Sequence, residues 1–551
     1  MRGQTVLLAG SCRTEPQGAT YVGEVDPDER IVVTVYLKRR TPDRYQPGSA
    51  GDLARLSKPI TRRALSVERR RTHGRAANRI RRLAARFGVT LCGFDLSQRI
   101  VVLEATARQM TEILGATLRI YDDGDCRFRA RVGSLVVPKE IAPWTRAILG
   151  FDQRPIARPV PRLRPQVGAA LGTGMWPTEV AALYGIPLDH DVSKICVGII
   201  ALGGGYLATD LAKALAAMGR EPPTIIDQSV ATPSARGGSA SAGGSATAGG
   251  SVSAGGAAPA NGNHFGGGSV ADEEIALDLQ ILASLLPKAR IVVYFAGNTI
   301  QSLVGAINQA IFDDVNRPQV LSVSWGSAEM FWSSSARDAM QAVLADAQRL
   351  KVTVLFAAGD ELATGGLDDG KAHVWFPSSS PYALGCGGTQ PAIAGAASSE
   401  EVVWNDGTSG TGGGVSDFYP VPAYQSALAL PPSVNDGKIR RGVPDVAAAA
   451  AATPGYRIVL NGSEMVKDGT SAATPLWAGL IAIANAVRGE PLGFANSALY
   501  SNPAALRQID RGNNRVAGKG YEAGPGWNAC TGLGVPKGAD IVAALAAIPV
   551  A

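Results

Sequence analysis

Histidine is nearly absent from this chain of 551 residues, which has only four: His73, His190, His264 and His373. His73 lies in an arginine-rich N-terminal segment and His264 in a glycine/serine tract, while His190 and His373 sit in loop-like stretches beside charged residues. A nucleophilic serine needs a neighbouring base, most often imidazole, so any such serine here is expected to use a carboxylate instead. Cysteine is sparse too. Cys12, Cys92, Cys126, Cys196, Cys386 and Cys530 are far apart and form no C-x-x-C pair, which argues against a zinc site or a dense disulfide framework. The stretch from Met1 to Cys12 has one arginine and a short apolar run, Val6 to Gly10, too short for a standard signal peptide. No segment reaches the roughly 18 uncharged apolar residues that span a bilayer, so no membrane partner is expected.

What is present is a charge split. Residues 1–175 carry 31 Lys+Arg against 16 Asp+Glu, leaving 22 against 31 for residues 176–551. The basic half has no zinc-finger spacing and no basic run interleaved with aromatics, so nucleic acid is not expected as a partner. The two halves are instead expected to bind each other. Opposite charge orients such an interface, and protonating the acidic side weakens it.

A chain this long exceeds a single core. Residues 1–150 alternate strand-like pieces (Arg30–Leu37, Arg99–Glu104) with helical ones (His73–Phe87, Thr106–Gly115), which predicts a small α+β domain. Residues 151–175 form a linker, and Phe151–Gln166 carries four prolines and four arginines, an extended and cleavable composition. From 176 to 551 apolar strands precede amphipathic helices. Ile195–Ile200 leads to Asp210–Met218, Ala289–Phe295 to Thr299–Phe312, Gln319–Ser324 to Ser334–Leu350, and Val352–Phe356 follows. This predicts an α/β, doubly wound, mostly parallel sheet, with functional groups beyond the carboxyl ends of its strands. An insertion at 235–270, almost wholly Gly, Ser and Ala, cannot bury a core and reads as a loop.

Three sites in this half can carry chemistry. Glu274 and Asp278 stand at i, i+4 on an otherwise apolar helix, so both carboxyls share one face. Such a pair in apolar surroundings shares a proton, and one member can act as general base; the same spacing also suits the acidic first turn of any helix. Ser471, in Gly469-Thr470-Ser471, precedes the apolar run Leu476–Ala484 and so opens a buried helix, where positive potential favours a developing oxyanion. Gly-Thr-Ser is also a turn sequence, and it recurs at Gly407–Ser409 ahead of a glycine-rich loop. Asp360, after Phe356-Ala357-Ala358-Gly359, falls where a parallel strand ends. It reads as a turn residue or, protonated in acid, as a donor to an oxyanion.

The ordered series Glu274-x-x-x-Asp278, Ser322-Val323-Ser324-Trp325-Gly326, Ala357–Asp360, Cys386–Thr389, Trp404-Asn405, Gly412–Ser416, Arg441–Val446 and Gly469–Ser471 resembles the sedolisins, the serine-carboxyl peptidases, most closely those of kumamolisin type. The resemblance runs from about Trp176 to the C-terminus, and residues 1 to about 170 resemble the family's prosegment. It implies a subtilisin-like catalytic domain behind a ferredoxin-like prodomain, acid endopeptidase activity on protein and peptide substrates, self-processing, inhibition by the chain's own prosegment, a monomer and an extracellular location. By position it implies Ser471 as nucleophile, Glu274 as base, Asp278 as its partner, Asp360 as the oxyanion acid, and Ser324, Trp325 and Gly326 as substrate-binding residues.

The resemblance also implies one calcium, and here the chain departs from it. The metal positions map to Gln508, Ile509, Gly524, Gly526 and Asn528, with amides at both aspartate positions. Calcium affinity depends on carboxylate charge, so no cofactor is expected to be essential, although Asp510 offers a shifted carboxylate. Ala201 replaces a glutamate often found behind the catalytic pair, Glu361-Leu362 replace the usual Ser-Gly after Asp360, and Trp375 replaces a substrate-contacting aspartate. Two other readings fit parts of the sequence. Gly203–Ala208 with Asp227 fits a relaxed dinucleotide fingerprint but leaves the other motifs unexplained. The departures also suit a catalytically impaired, peptide-binding homologue.

Overall fold

The computed structural model describes residues 4–40, 46–156, 174–230, 270–392 and 400–549. Most of the linker expected at 151–175, and the insertion expected at 235–270 except Val270, lie outside them.

The N-terminal domain is built from β1 (Arg30–Leu37), α1 (Arg62–Arg86), β2 (Thr90–Asp95), β3 (Ile100–Thr106), α2 (Ala107–Leu114) and β4 (Thr145–Leu149). The strands pair antiparallel in the order β2-β3-β1-β4, the split β-α-β arrangement of ferredoxin-like domains. Alternation sets which face is inside: Ile31, Val33 and Val35 of β1 share a core with Ala76, Ala77, Ile80 and Leu83 of α1. Helix α1 starts at Arg62, well before His73, because Thr61 caps it and its arginine-rich first half keeps good helix propensity.

The larger domain is organised on one eight-stranded sheet. Its elements are β5 (Cys196–Leu202), α3 (Ala208–Ala217), β6 (Thr224–Ser229), α4 (Val270–Leu285), β7 (Arg290–Ala296), α5 (Ile300–Phe312), β8 (Val320–Val323), α6 (Ser334–Arg349), β9 (Thr353–Ala357), β10 (Leu384–Gln390), β11 (Val402–Val403), β12 (Val446–Ala449) and α7 (Thr470–Arg488). The order is β6-β7-β5-β8-β9-β10-β11, with β12 also beside β10, and every pairing is parallel except β10 with β11. Strands such as β5 are buried along their whole length, as a sheet covered on both faces requires. Helices α4 and α7 cover one face and α5 and α6 the other.

Helix α7 is uncharged until Arg488 and long enough to cross a bilayer, a stretch the polarity of its Thr, Ser and Asn residues hid from the sequence reading. It is a core helix: Leu476, Trp477, Leu480 and Ile481 have no exposed surface, and each contributes roughly 1.5–3 kcal/mol by burial.

The N-terminal domain packs on α5 and α6. Tyr36, Leu56, Leu65 and Ala147 join the core behind these helices. Asp346 of α6 is held by two guanidinium groups of the basic half, Arg69 and, at 2.7 Å, Arg99. Arg349 binds Glu68 at 2.8 Å, Arg62 donates to the Ile311 carbonyl at 2.8 Å and Gln301 to Thr34 Oγ1 at 2.9 Å. The charge split therefore meets at a real interface, though Arg349 shows that its signs are not wholly one-sided.

Candidate active site

Strands β8 and β9 are neighbours, and their carboxyl ends deliver Ser324 and Asp360 to the same edge of the sheet. Helix α4 brings Glu274 and Asp278 there, and the N-terminus of α7 brings Ser471. The hydrogen bonds that join these elements are short and specific. Ser324 Oγ lies 2.9 and 3.1 Å from the two Asp278 carboxylate oxygens and 3.4 Å from the Ser471 carbonyl oxygen. Asp360 Oδ1 accepts from the Thr470 N–H and the Thr470 hydroxyl, each at 2.7 Å, and Thr470 Oγ1 accepts from the Gly359 N–H at 3.2 Å.

Two local features of the chain make that geometry possible. Gly469 has φ 123, and a Cβ there would stand 2.8 Å from Asp360 Oδ2, so only glycine admits Asp360 to the helix end. Pro475 lies inside α7 and has no N–H to give to the carbonyl four residues back, which is that of Ser471. The Ser324 hydroxyl is the neighbour placed to meet that carbonyl. A further strap holds α4 and the start of α7 together: Lys467, just before Gly469, binds Glu273 of α4 at 2.6 Å.

Asp278 is 1 % exposed. Burial pushes its carboxyl well above the usual range, the nearby Glu274 charge pushes it further, and the Ser324 hydroxyl partly opposes both. Glu274 stays half-buried at the helix start. Asp278 is thus the member of the pair that burial biases toward its protonated form. Ser471 is 7 % exposed, in the first turn of α7. None of the described histidines supplies a base: His73 is buried in the N-terminal domain, His190 is exposed and His373 Nε2 is bonded to Asp369 at 2.9 Å. No disulfide joins any of the six cysteines among the described residues.

Of the expected substrate-binding residues, Ser324 belongs to the hydrogen-bond chain, Trp325 is buried and Gly326 lies against the Trp375 ring. Trp375 also packs on Gly359, where a Cβ would come within 2.8 Å of its indole, so this residue walls the turn that presents Asp360. After Asp360, Glu361 Oε2 accepts from the Asp360 N–H at 3.1 Å, and buried Leu362 takes φ 57, the left-handed conformation that favours glycine. Ala201 is fully buried in β5. The glycine turn of the dinucleotide reading is used internally, since the Gly205 N–H goes to Asp272 at 2.7 Å and Asp227 accepts from the Tyr206 hydroxyl at 3.0 Å.

The five positions mapped to calcium do lie together. Asn528 Nδ2 donates to the carbonyls of Ile509 at 2.9 Å and Gly524 at 3.4 Å, and the Gly526 N–H donates to Gln508 Oε1 at 3.0 Å. Asp510 is exposed. No group of three or more His, Cys, Asp or Glu side chains suited to a metal occurs among the described residues.

Sequence reasoning placed Ser324 in a motif but missed its link to Asp278, and it gave Thr470 and Pro475 no role. Pro475 was the available signal, because a proline inside a predicted helix announces an unpaired carbonyl one turn earlier.

Residues 17–154 match the family described as Pro-kumamolisin, activation domain, and residues 238–508 match the subtilase family. Kumamolisin from Bacillus sp. (strain MN-32) is 37% identical over 559 residues, covering 98% of this chain and 96% of its own. Sedolisin from Pseudomonas sp. (strain 101) is 29% identical over 72% of this chain and 66% of its own. Among solved structures, Pseudomonas sedolisin complexed with two molecules of pseudo-iodotyrostatin aligns with TM-score 0.55 at 28% identity, covering 67% of this chain and 97% of that one.

Proposed function

We propose, from the premise that this chain belongs to the sedolisin family of serine-carboxyl peptidases and carries a kumamolisin-type activation domain, that it is an acid endopeptidase whose precursor processes itself. Ser471 Oγ attacks the substrate carbonyl, and Glu274 takes its proton. Asp278 holds the second proton of the pair, so Glu274 returns the first to the leaving amine. In acid the Asp360 carboxyl donates to the oxyanion from its seat at the N-terminus of α7, where the helix dipole also favours negative charge. The observation that carries this reading is the buried Asp278 carboxyl, one helical turn from Glu274 on α4 and linked through Ser324 Oγ to the backbone carbonyl of Ser471.

Substrates are proteins and peptides, the N-terminal domain is the intramolecular inhibitor, and processing falls within 151–175. By family resemblance the mature enzyme works outside the cell, as a monomer. Acid cuts the restraint by protonating carboxylates that face the basic domain, and the precursor matures faster near pH 4 than near pH 7.

The test is to incubate the precursor with a denatured protein from about pH 3 to about pH 7, beside Ser471→Ala and Glu274→Gln. Acid cleavage that is lost in both variants is the expected result. Cleavage that persists in purified Ser471→Ala refutes the assignment, and equal maturation at both ends of the range refutes the acid trigger.

A further inference from the structure

The residues at the family's calcium position do not suit that ion. Calcium takes six to eight oxygen ligands, with carboxylates among them. Here the Asn528 side chain stands in their midst, 6 % exposed, with its NH2 group aimed at the Ile509 and Gly524 carbonyls. Its oxygen is equally committed: Asn528 Oδ1 accepts from the Cys530 N–H at 3.1 Å, the Thr531 N–H at 3.0 Å and the Thr531 hydroxyl at 3.1 Å. The network fixes the amide's orientation, because donors surround one end and carbonyls the other. Gln508 Oε1, at the other aspartate position, is occupied by the Gly526 N–H.

We infer that the Asn528 amide is a built-in replacement for the metal, joining by hydrogen bonds the segments that calcium would join by coordination. Two N–H groups satisfy the Ile509 and Gly524 carbonyls that a cation would otherwise attract, and no buried charge needs neutralising. The segments joined are distant in sequence. Leu506–Arg507 pairs with Val535–Pro536 next to Gln508, and the Gly534 N–H closes a turn on the Thr531 carbonyl at 3.0 Å. The C-terminal part of the catalytic domain is therefore held without metal. An aspartate at 528 would keep the three contacts to its oxygen but turn a second, charged oxygen toward the two carbonyls, recreating the need for a cation.

The experiment is thermal melting of the full chain carrying Ser471→Ala, which keeps the precursor uncleaved, in chelator and in millimolar calcium chloride. The parent is expected to melt at the same temperature in both. Asn528→Asp is expected to melt roughly 3–8 °C lower in chelator, the effect of two lost buried hydrogen bonds. The double variant Gln508→Asp/Asn528→Asp is expected to regain that loss on calcium addition. Asn528→Ala, which adds no charge, should fall in melting temperature and not respond to calcium; it covers the case in which the aspartate variants fail to fold. A parent that calcium stabilises by several degrees overturns the inference. So does an Asn528→Ala that melts like the parent, or a double variant that folds but ignores calcium.

Discussion

His73 offers a quantitative test of how acid reaches the precursor. It is 2 % exposed on α1, and its Nδ1 lies 2.8 Å from Thr72 Oγ1. Burial, followed by the charges of Arg69, Arg99 and Arg39, lowers its pKa from 6.5 to about 4. Unfolded, the imidazole binds its proton first as pH falls. Its contribution to stability is therefore full above pH 6.5, shrinks through the window down to about 4 and is absent below it. A shift of that size at 1.36 kcal/mol per unit amounts to about 3 kcal/mol. The location adds to the effect, because Arg69 one turn earlier and Arg99 share the single Asp346 carboxylate of α6. A third cation beside them weakens the grip of the N-terminal domain on the catalytic one. The assay is urea unfolding of the Ser471→Ala precursor at pH 7 and pH 4, with and without His73→Gln. Other carboxylates also respond, so the informative quantity is the difference between the two proteins. The drop on acidification should be smaller by about 3 kcal/mol in His73→Gln. An identical drop in both refutes the reasoning.

Three other substitutions test the site and its support. Ser324→Ala removes the hydroxyl that lowers the Asp278 carboxyl, so the pair should titrate at higher pH; the profile of kcat against pH moves toward neutral with a loss of roughly tenfold at the optimum. An unmoved profile would show that Ser324 only packs. Gly469→Ala places a methyl 2.8 Å from Asp360 Oδ2 at φ 123 and should lower kcat on the order of 100-fold, with circular dichroism unchanged. Arg441 and Asp445 form an ion pair at 2.6 Å with no exposure on either side, and Arg441→Met strands the carboxylate at a cost of about 3–5 kcal/mol, measurable by urea unfolding.

How far these features can be read from residues depends on the physics behind each. Period and apolarity reveal β5, β7 and β9, because strands buried on both faces have no polar side to blur the signal. The i, i+4 spacing of Glu274 and Asp278 is a fact of helix geometry and needs no tertiary information. Ser324 and Asp278 are another matter: they are 46 positions apart, and their bond exists only because β8 and α4 converge at the sheet edge. Likewise, charge counting foresees that the halves attract, but not that Asp346 takes two arginines or that Glu68 is held by Arg349 in the reverse sense. At Asn528 the sequence reveals a missing charge. Only the structure reveals that its NH2 group is directed at the carbonyls of Ile509 and Gly524.

His73 and Asp278 respond to acid in opposite ways, and under the proposed acid mechanism that opposition couples activation to chemistry. His73 is held neutral by burial and by like charge, so protonation adds an unfavourable cation where the N-terminal domain meets α6. Asp278 is pushed toward its protonated form by burial and by Glu274, so the proton it holds relieves a buried repulsion. On the proposed mechanism, lowering the pH loosens the N-terminal domain at His73, while the protonated form of Asp278 is the one that burial already favours. The coupling is directional. An imidazole base would lose its function on the acid side, in the same window where His73 charges, and the enzyme would be released as it became inactive. A carboxylate base avoids that conflict, which gives the scarcity of histidine in the catalytic half a physical reason.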